Sequence, residues 1–374
     1  MNIEPFSIHV GDDVLSDLRA RLRNARLPPA APGAPWEQGF DRDELAALLR
    51  DWQQLDWRTR EADLNRFHHF RADVGGVSIH FVHERAPGGG VPLVLTHGWP
   101  SAFIEYLPLV PLLTNPRAHG IEGPAFDVVI PSLPGYCFSQ RPERANRRDV
   151  AALWHQLMQG LGYRRYGAAG GDFGAGVATF MALDQPGPMI GIHLSTPEVA
   201  PLLDAGAPLS PAERAFFEQQ ARWDDSERGY SHIQSTRPQT LGYALEDSPA
   251  GLAAWVGEKW RAWIDGGGAL FDRGHLLTLL TLIWATRSIT TSMRDYFDNR
   301  WRGAPLQPGD FVRVPTGVAN FARQLAFEGE PPREYFARLY DVRRFTPMPR
   351  GGHFGAAEQP LLLARDIGAF FASL

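Results

Sequence analysis

A carboxylate stands among glycines at Gly170-Gly171-Asp172-Phe173-Gly174, between a short apolar run and a helical pattern with Val177, Phe180 and Met181 at core spacing. The form is Gly-x-nucleophile-x-Gly, a strand-to-helix turn too tight for side chains at its flanks. Such a turn lifts one side chain to the top of a sheet, and here that side chain is acidic. A carboxylate attacking an ester would form a labile anhydride. Attack on an alkyl carbon instead forms an ester that water later cleaves. The implied chemistry is displacement at an alkyl carbon, with a strained epoxide oxygen or a halide as leaving group. Taken alone, the same residues would also serve as a glycine-rich turn with an Asp capping a helix.

The rest of the chain supplies the sheet that this turn requires. Residues 77–83 alternate, with Val77, Ile79 and Phe81 on one face, which is a strand pattern. Residues 91–96 are almost continuously apolar, as a strand buried on both faces would be. Similar runs occur at 126–130, 166–169, 190–194 and 311–315, and helical patterns separate most of them. Strands alternating with helices predict a mostly parallel central sheet covered on both faces. Ahead of it, the periodicity predicts helices over 13–25, 43–53 and 58–65, interrupted by Pro28, Pro29, Pro32 and Pro35. Between 197 and 301 the alternation stops, and residues 210–222, 250–264 and 273–298 look helical. A helical block between two core strands reads as a cap over the sheet's C-terminal edge, where open α/β sheets bind ligands. The expected division is an N-terminal extension over 1–85 wrapping the core, a core at 86–196 and 302–374, and a cap at 197–301.

Two further motifs suit the same chemistry. His97-Gly98-Trp99-Pro100 directly follows the run at 91–96. In this architecture that loop gives one backbone N–H to an oxyanion hole, here from Trp99, and the residue after the nucleophile, Phe173, gives the other. Gly351-Gly352-His353-Phe354 lies near the C-terminus, after the nucleophile as the fold demands. His353 is the candidate general base for the hydrolytic water.

Composition excludes several classes. The 374 residues are 44% apolar and 21% charged with a net charge of −5, so no basic surface points to nucleic acid. The single cysteine, Cys137, permits no intrachain disulfide and suits a reducing compartment. The first residues show neither a basic nor an apolar signal region, and the apolar stretch from Leu276 to Ala285 is too short to span a bilayer. The expectation is a soluble, cytoplasmic enzyme that needs no metal and no cofactor.

Together these motifs resemble the microsomal-type epoxide hydrolases. The resemblance extends over nearly the whole chain, including Trp36-Glu37-Gln38-Gly39-Phe40, Asp56-Trp57-Arg58, Leu64-Asn65-Arg66-Phe67 and the cap-like residues 229–256. It implies an α/β-hydrolase fold with a helical cap and an N-terminal helical extension without a membrane anchor. It implies conversion of an epoxide to a vicinal diol, with a small apolar epoxide and water as partners and a homodimer as the assembly considered. It also implies two cap tyrosines at the epoxide oxygen: Tyr230 as a hydrogen-bond donor and Tyr296 as proton donor. Where the family carries an acid to orient the histidine, this chain has Gln324. A glutamine can orient an imidazole but not stabilise its cation by charge; the analogous exchange in a Ser-His-Asp triad costs about 10⁴ in rate. Glu328 or Glu198 could serve instead, the correspondence could shift within a loop, or turnover could be slow. Two other readings share Asp172: a haloalkane dehalogenase, where a tryptophan often replaces Phe173, and a ligand-binding protein on a hydrolase scaffold.

Overall fold

The computed structural model describes residues 1–203, 208–266, 272–323 and 329–374. Its strands are β1 (Ile3–Phe6), β2 (His69–Val74), β3 (Val77–Glu84), β4 (Val91–Thr96), β5 (Phe126–Pro131), β6 (Tyr166–Gly171), β7 (Met189–Thr196), β8 (Val312–Arg323) and β9 (Tyr340–Gly352). They form one nine-stranded sheet in the order β1-β2-β3-β5-β4-β6-β7-β8-β9. From β5 to β9 every neighbouring pair is parallel, whereas β1, β2, β3 and β5 pair antiparallel. The mostly parallel sheet is as expected, and the apolar runs are its central strands. Every residue of β5 and of β6 is buried, as strands covered on both faces must be.

Three strands escape the sequence patterns, each for a physical reason. β1 has four residues and includes Pro5. β2 carries Arg71 and Asp73 and follows no clean in–out alternation. β9 includes Pro347, Pro349, Arg343, Arg344 and Arg350 along the open edge of the sheet. Proline and charge belong on such edges, because an edge strand need not donate outward. The N-terminal extension is therefore more than helical: β1 and β2 extend the sheet beyond β3.

Helices α1 (Asp12–Arg23), α2 (Arg42–Gln53) and α3 (Trp57–Leu64) form close to their expected positions. Around the sheet lie α4 (Leu109–Thr114), α5 (Arg147–Gly160) and α6 (Phe173–Asp184), followed after the cap by α13 (Arg333–Ala337), α14 (Gly355–Glu358) and α15 (Pro360–Phe371). α5 packs with α6, and α15 with α4. The regular structure of the cap is all helical among its described residues: α7 (Pro211–Glu227), α8 (Gly229–Thr236), α9 (Pro238–Asp247), α10 (Pro249–Trp263), α11 (Arg273–Thr286) and α12 (Ile289–Trp301). α1 and α2 pack against α10, and the buried Trp52 indole donates 2.8 Å to Thr281 on α11. The extension thus braces the cap from outside.

The expected single helix over 273–298 is two helices. Arg287 ends α11 in the left-handed conformation at φ 53°, and the Ser288 N–H returns 3.1 Å to the Ile283 carbonyl. Helix ends of this type are usually built on Gly or Asn, and an arginine gives no warning of one. No helix among the described residues is long and apolar enough to cross a membrane.

Candidate active site

Asp172 occupies the turn between β6 and α6 with φ 53° and ψ −129°, an unusual conformation for a residue with a side chain. The glycines around it are required by close approach. A Cβ on Gly174 would lie 1.9 Å from the Thr96 carbonyl oxygen, and one on Gly170 would lie 2.6 Å from the Gly174 main chain. The turn is tied to β7 by the Asp172 N–H, which donates 3.0 Å to the Thr196 carbonyl.

The two oxygens of this carboxylate have different surroundings. Oδ1 accepts the backbone N–H of Phe173 at 2.6 Å and that of Trp99 at 3.0 Å. Oδ2 stands 3.5 Å from His353 Nε2. The bond from Phe173 makes Asp172 the N-cap of α6 as well, so the capping and functional readings of the motif coexist.

The loop carrying Trp99 is set from beneath by His97, which is fully buried. Its Nε2 accepts the Leu133 N–H at 3.2 Å, leaving Nδ1–H to donate 3.1 Å to the Gly98 carbonyl. Burial pulls its pKa down to about 4, so the ring is neutral. Gly98 has to be glycine, because a Cβ there would lie 2.3 Å from Asp172 Oδ1. The Trp99–Pro100 peptide is cis, and the Pro100 carbonyl accepts the buried Trp260 indole N–H at 2.8 Å.

The cap adds an aromatic enclosure. Tyr230, in the first turn of α8, stacks on Trp99 at 5.5 Å between ring centroids, and Tyr296 of α12 meets Trp99 edge-on at 5.7 Å. The two tyrosine rings are 5.9 Å apart, and Phe173 packs at 4.8 Å against Tyr296. Trp263, which no sequence motif singles out, bridges Tyr230 at 5.3 Å and His353 at 4.9 Å. Burial, then the Tyr230 phenol and the Asp172 carboxylate, hold the Tyr296 proton well above the usual phenol range. Tyr296 is therefore an O–H donor at rest. Lys259 places its ammonium 4.8 Å over the Tyr230 ring. Arg141, buried on the segment after β5, pairs with Asp295 and Asp298 on either side of Tyr296 and so fixes α12 to the core.

The expected residues Asp172, His353, Trp99, Phe173, Tyr230 and Tyr296 therefore meet in one place. Gln324 and Glu328 lie outside the described residues. The third acid considered, Glu198, is paired with Arg147, whose guanidinium lies 4.9 Å over the Phe173 ring. Another buried acid near the site, Glu105, is pushed up to about 8 by burial first and then by the Asp172 and Glu358 charges. Nothing in its sequence context marks it.

Comparison with known proteins agrees with this arrangement. Residues 3–106 match the family model described as epoxide hydrolase N terminus, and residues 91–242 match that of the alpha/beta hydrolase fold. A relative from Stigmatella aurantiaca, provisionally named an epoxide hydrolase, is 40% identical across all of this chain and 85% of its own length. Epoxide hydrolase 1 of Sus scrofa is 34% identical over all of this chain and 89% of its own. The crystal structure of the juvenile hormone epoxide hydrolase of Bombyx mori superimposes with a TM-score of 0.88 at 30% identity, covering 98% of this chain and 93% of that one. Extent of this kind, in sequence and in three dimensions, places the chain in the microsomal-type epoxide hydrolase family, with an α/β-hydrolase fold and the activity of an epoxide hydrolase.

Proposed function

We propose that the hydrolysis proceeds in two steps through an ester on Asp172. The observation that carries this reading is the asymmetry of one carboxylate: Oδ1 is held by two main-chain N–H groups while Oδ2 faces His353. Oδ2 attacks a ring carbon of the epoxide, forming a C–O bond as the strained C–O bond breaks. The ring oxygen leaves with its electron pair and takes the Tyr296 proton, with Tyr230 as a second donor. His353 then removes a proton from water, and the hydroxide attacks Cγ of Asp172. Negative charge gathers on Oδ1, where the Trp99 and Phe173 N–H groups already point. Collapse breaks the bond between Cγ and Oδ2, the departing diol oxygen takes the proton from His353, and the proton left on the new Asp172 carboxyl passes through solvent to the Tyr296 phenolate, restoring both groups.

The aromatic enclosure favours an apolar epoxide, and two phenols suit an alkoxide better than a halide. We assign residues 86–196 and 302–374 the nucleophile, base and oxyanion donors, residues 197–301 the two phenols, and residues 1–85 the bracing of that cap. The one cysteine, Cys137, is buried, which accords with a reducing cytoplasm.

A single turnover in ¹⁸O-water tests the mechanism. The first diol should carry the unlabelled Asp172 oxygen, and the label should appear in the Asp172 peptide. Label in the first diol would mean direct attack by water and would remove the covalent step.

A further inference from the structure

The four consecutive amides around His353 have partners of two kinds. The Gly351 N–H donates 2.9 Å to Asp265 Oδ2, and the His353 N–H donates 2.8 Å to the Trp263 carbonyl. Both acceptors lie at the C-terminal end of α10, in the cap. The Gly352 N–H donates 3.0 Å to Glu358 Oε2, and the Phe354 N–H donates 3.1 Å to Glu358 Oε1. Glu358 Oε2 also accepts the Asp265 N–H at 2.8 Å. A single carboxylate thus holds the amides of the residues immediately before and after His353 and binds them to the cap. The chains can approach this closely because residue 352 is glycine: a Cβ there would lie 2.2 Å from the Trp263 carbonyl oxygen.

We propose that Glu358 is a positioning residue for the second half of the reaction, locking the His353 loop to the end of α10 so that His353 is aligned with Asp172 only when the cap is seated. Glu358 acts through the main chain, by fixing the amides of Gly352 and Phe354 on either side of His353. Burial raises its carboxyl pKa and the three N–H bonds pull it back, as expected of an acceptor built into the fold. The attack by Asp172 needs the nucleophile, the oxyanion loop and the phenols, none of which Glu358 touches. Loss of the clamp should therefore harm ester hydrolysis and spare ester formation.

The inference rests on His353 acting as base, and the experiment separates the two ideas. Rapid-quench kinetics with an apolar epoxide, read by intact protein mass, follow formation and decay of the Asp172 ester separately. Glu358→Ala should form ester near the wild-type rate and hydrolyse it about 10²-fold more slowly, the scale expected when a catalytic group is displaced by about 1 Å. Steady-state ester should rise and kcat and KM should fall together. Glu358→Gln keeps the volume and retains acceptors for two of the three N–H groups, so it should lie between, and it serves if Glu358→Ala does not fold. A folded Glu358→Gln that hydrolyses ester at the wild-type rate, or that loses both steps equally, would overturn the clamp. His353→Gln is the control: without ester accumulation there, the base assignment itself fails, independently of Glu358.

Discussion

On the sheet side of the site, Asp172 is held by main chain: two amide donors, a glycine turn and a bond to β7. On the cap side, Tyr230 and Tyr296 are held by side chains: stacked rings, an ammonium over one ring and a buried guanidinium between two carboxylates. The difference follows the chemistry each side performs. In the proposed mechanism charge develops on Oδ1 at a fixed point, where preorganised amides would stabilise it without moving. The cap must admit an epoxide and release a diol, and packed rings on helices can shift where a strand end cannot. The buried ion pair of Arg141 keeps that freedom limited, because breaking one partner leaves charge uncompensated at a cost of about 3–5 kcal/mol.

The contrast is broken hardest at Gly98. A methyl group added there would press on Asp172 Oδ1 and Cβ at 2.3 and 2.4 Å. Gly98 does not have a positive φ, so its backbone accepts alanine. Gly98→Ala should retain the fold and lose more than about 10² in the rate of ester formation, the scale of a nucleophile displaced by about 1 Å. Wild-type ester formation in a folded Gly98→Ala would mean that the Oδ1 environment is not what fixes the nucleophile. The cap side should respond more gently. Tyr296→Phe keeps the ring against Phe173 and Trp99 and removes only the proton, with Tyr230 still able to donate. Ester formation should slow by about 10–10²-fold, the lower end of what a general acid contributes, while ester hydrolysis is unchanged. Equal slowing of both steps would assign Tyr296 a packing role instead.

The same contrast explains what can be read in the sequence. Main-chain devices leave residue signatures: Gly170, Gly174 and Gly98 are glycines because a Cβ would collide, so the sheet side is written in the chain as motifs. Side-chain devices leave none. Tyr230 and Tyr296 are selected only by resemblance, and Trp263, Lys259, Arg141 and Glu358 lie among residues with no distinguishing pattern. Glu358 shares a short helix with two alanines, and only its reach back to Gly352 and Phe354 gives it meaning. The central strands are legible from their burial on both faces. β1 and β9 are not, because edge strands carry the proline and charge that argue against a strand, and the inner strand β2 is not, because Arg71 and Asp73 break its in–out alternation.

Acid should test both sides alike, and this is the smallest effect expected. Each side contains a histidine whose pKa burial pulls down to about 4: fully buried His97 beneath the Trp99 loop, and half-buried His275 on α11 beside Trp260. His69 and His80, in the adjoining strands, are shifted the same way. The unfolded chain takes up these protons near 6.5 and the folded chain does not, so the unfolded state binds more protons below that value. The contribution of these histidines is full above about 6.5 and falls as pH drops from there towards about 4. One unit below 6.5, His97 and His275 should each cost about 1.4 kcal/mol. At His97, where burial is the cause, the geometry points the same way: Nε2 accepts the Leu133 N–H, and a proton there would face that donor. His275→Phe removes the cap's share while keeping a ring of similar size. Urea unfolding near pH 7.5 and near pH 5.5 should show the wild-type difference shrinking by about 1.4 kcal/mol in that variant. An undiminished difference would mean that the acid sensitivity belongs to the sheet side alone and that the cap opens without exposing His275.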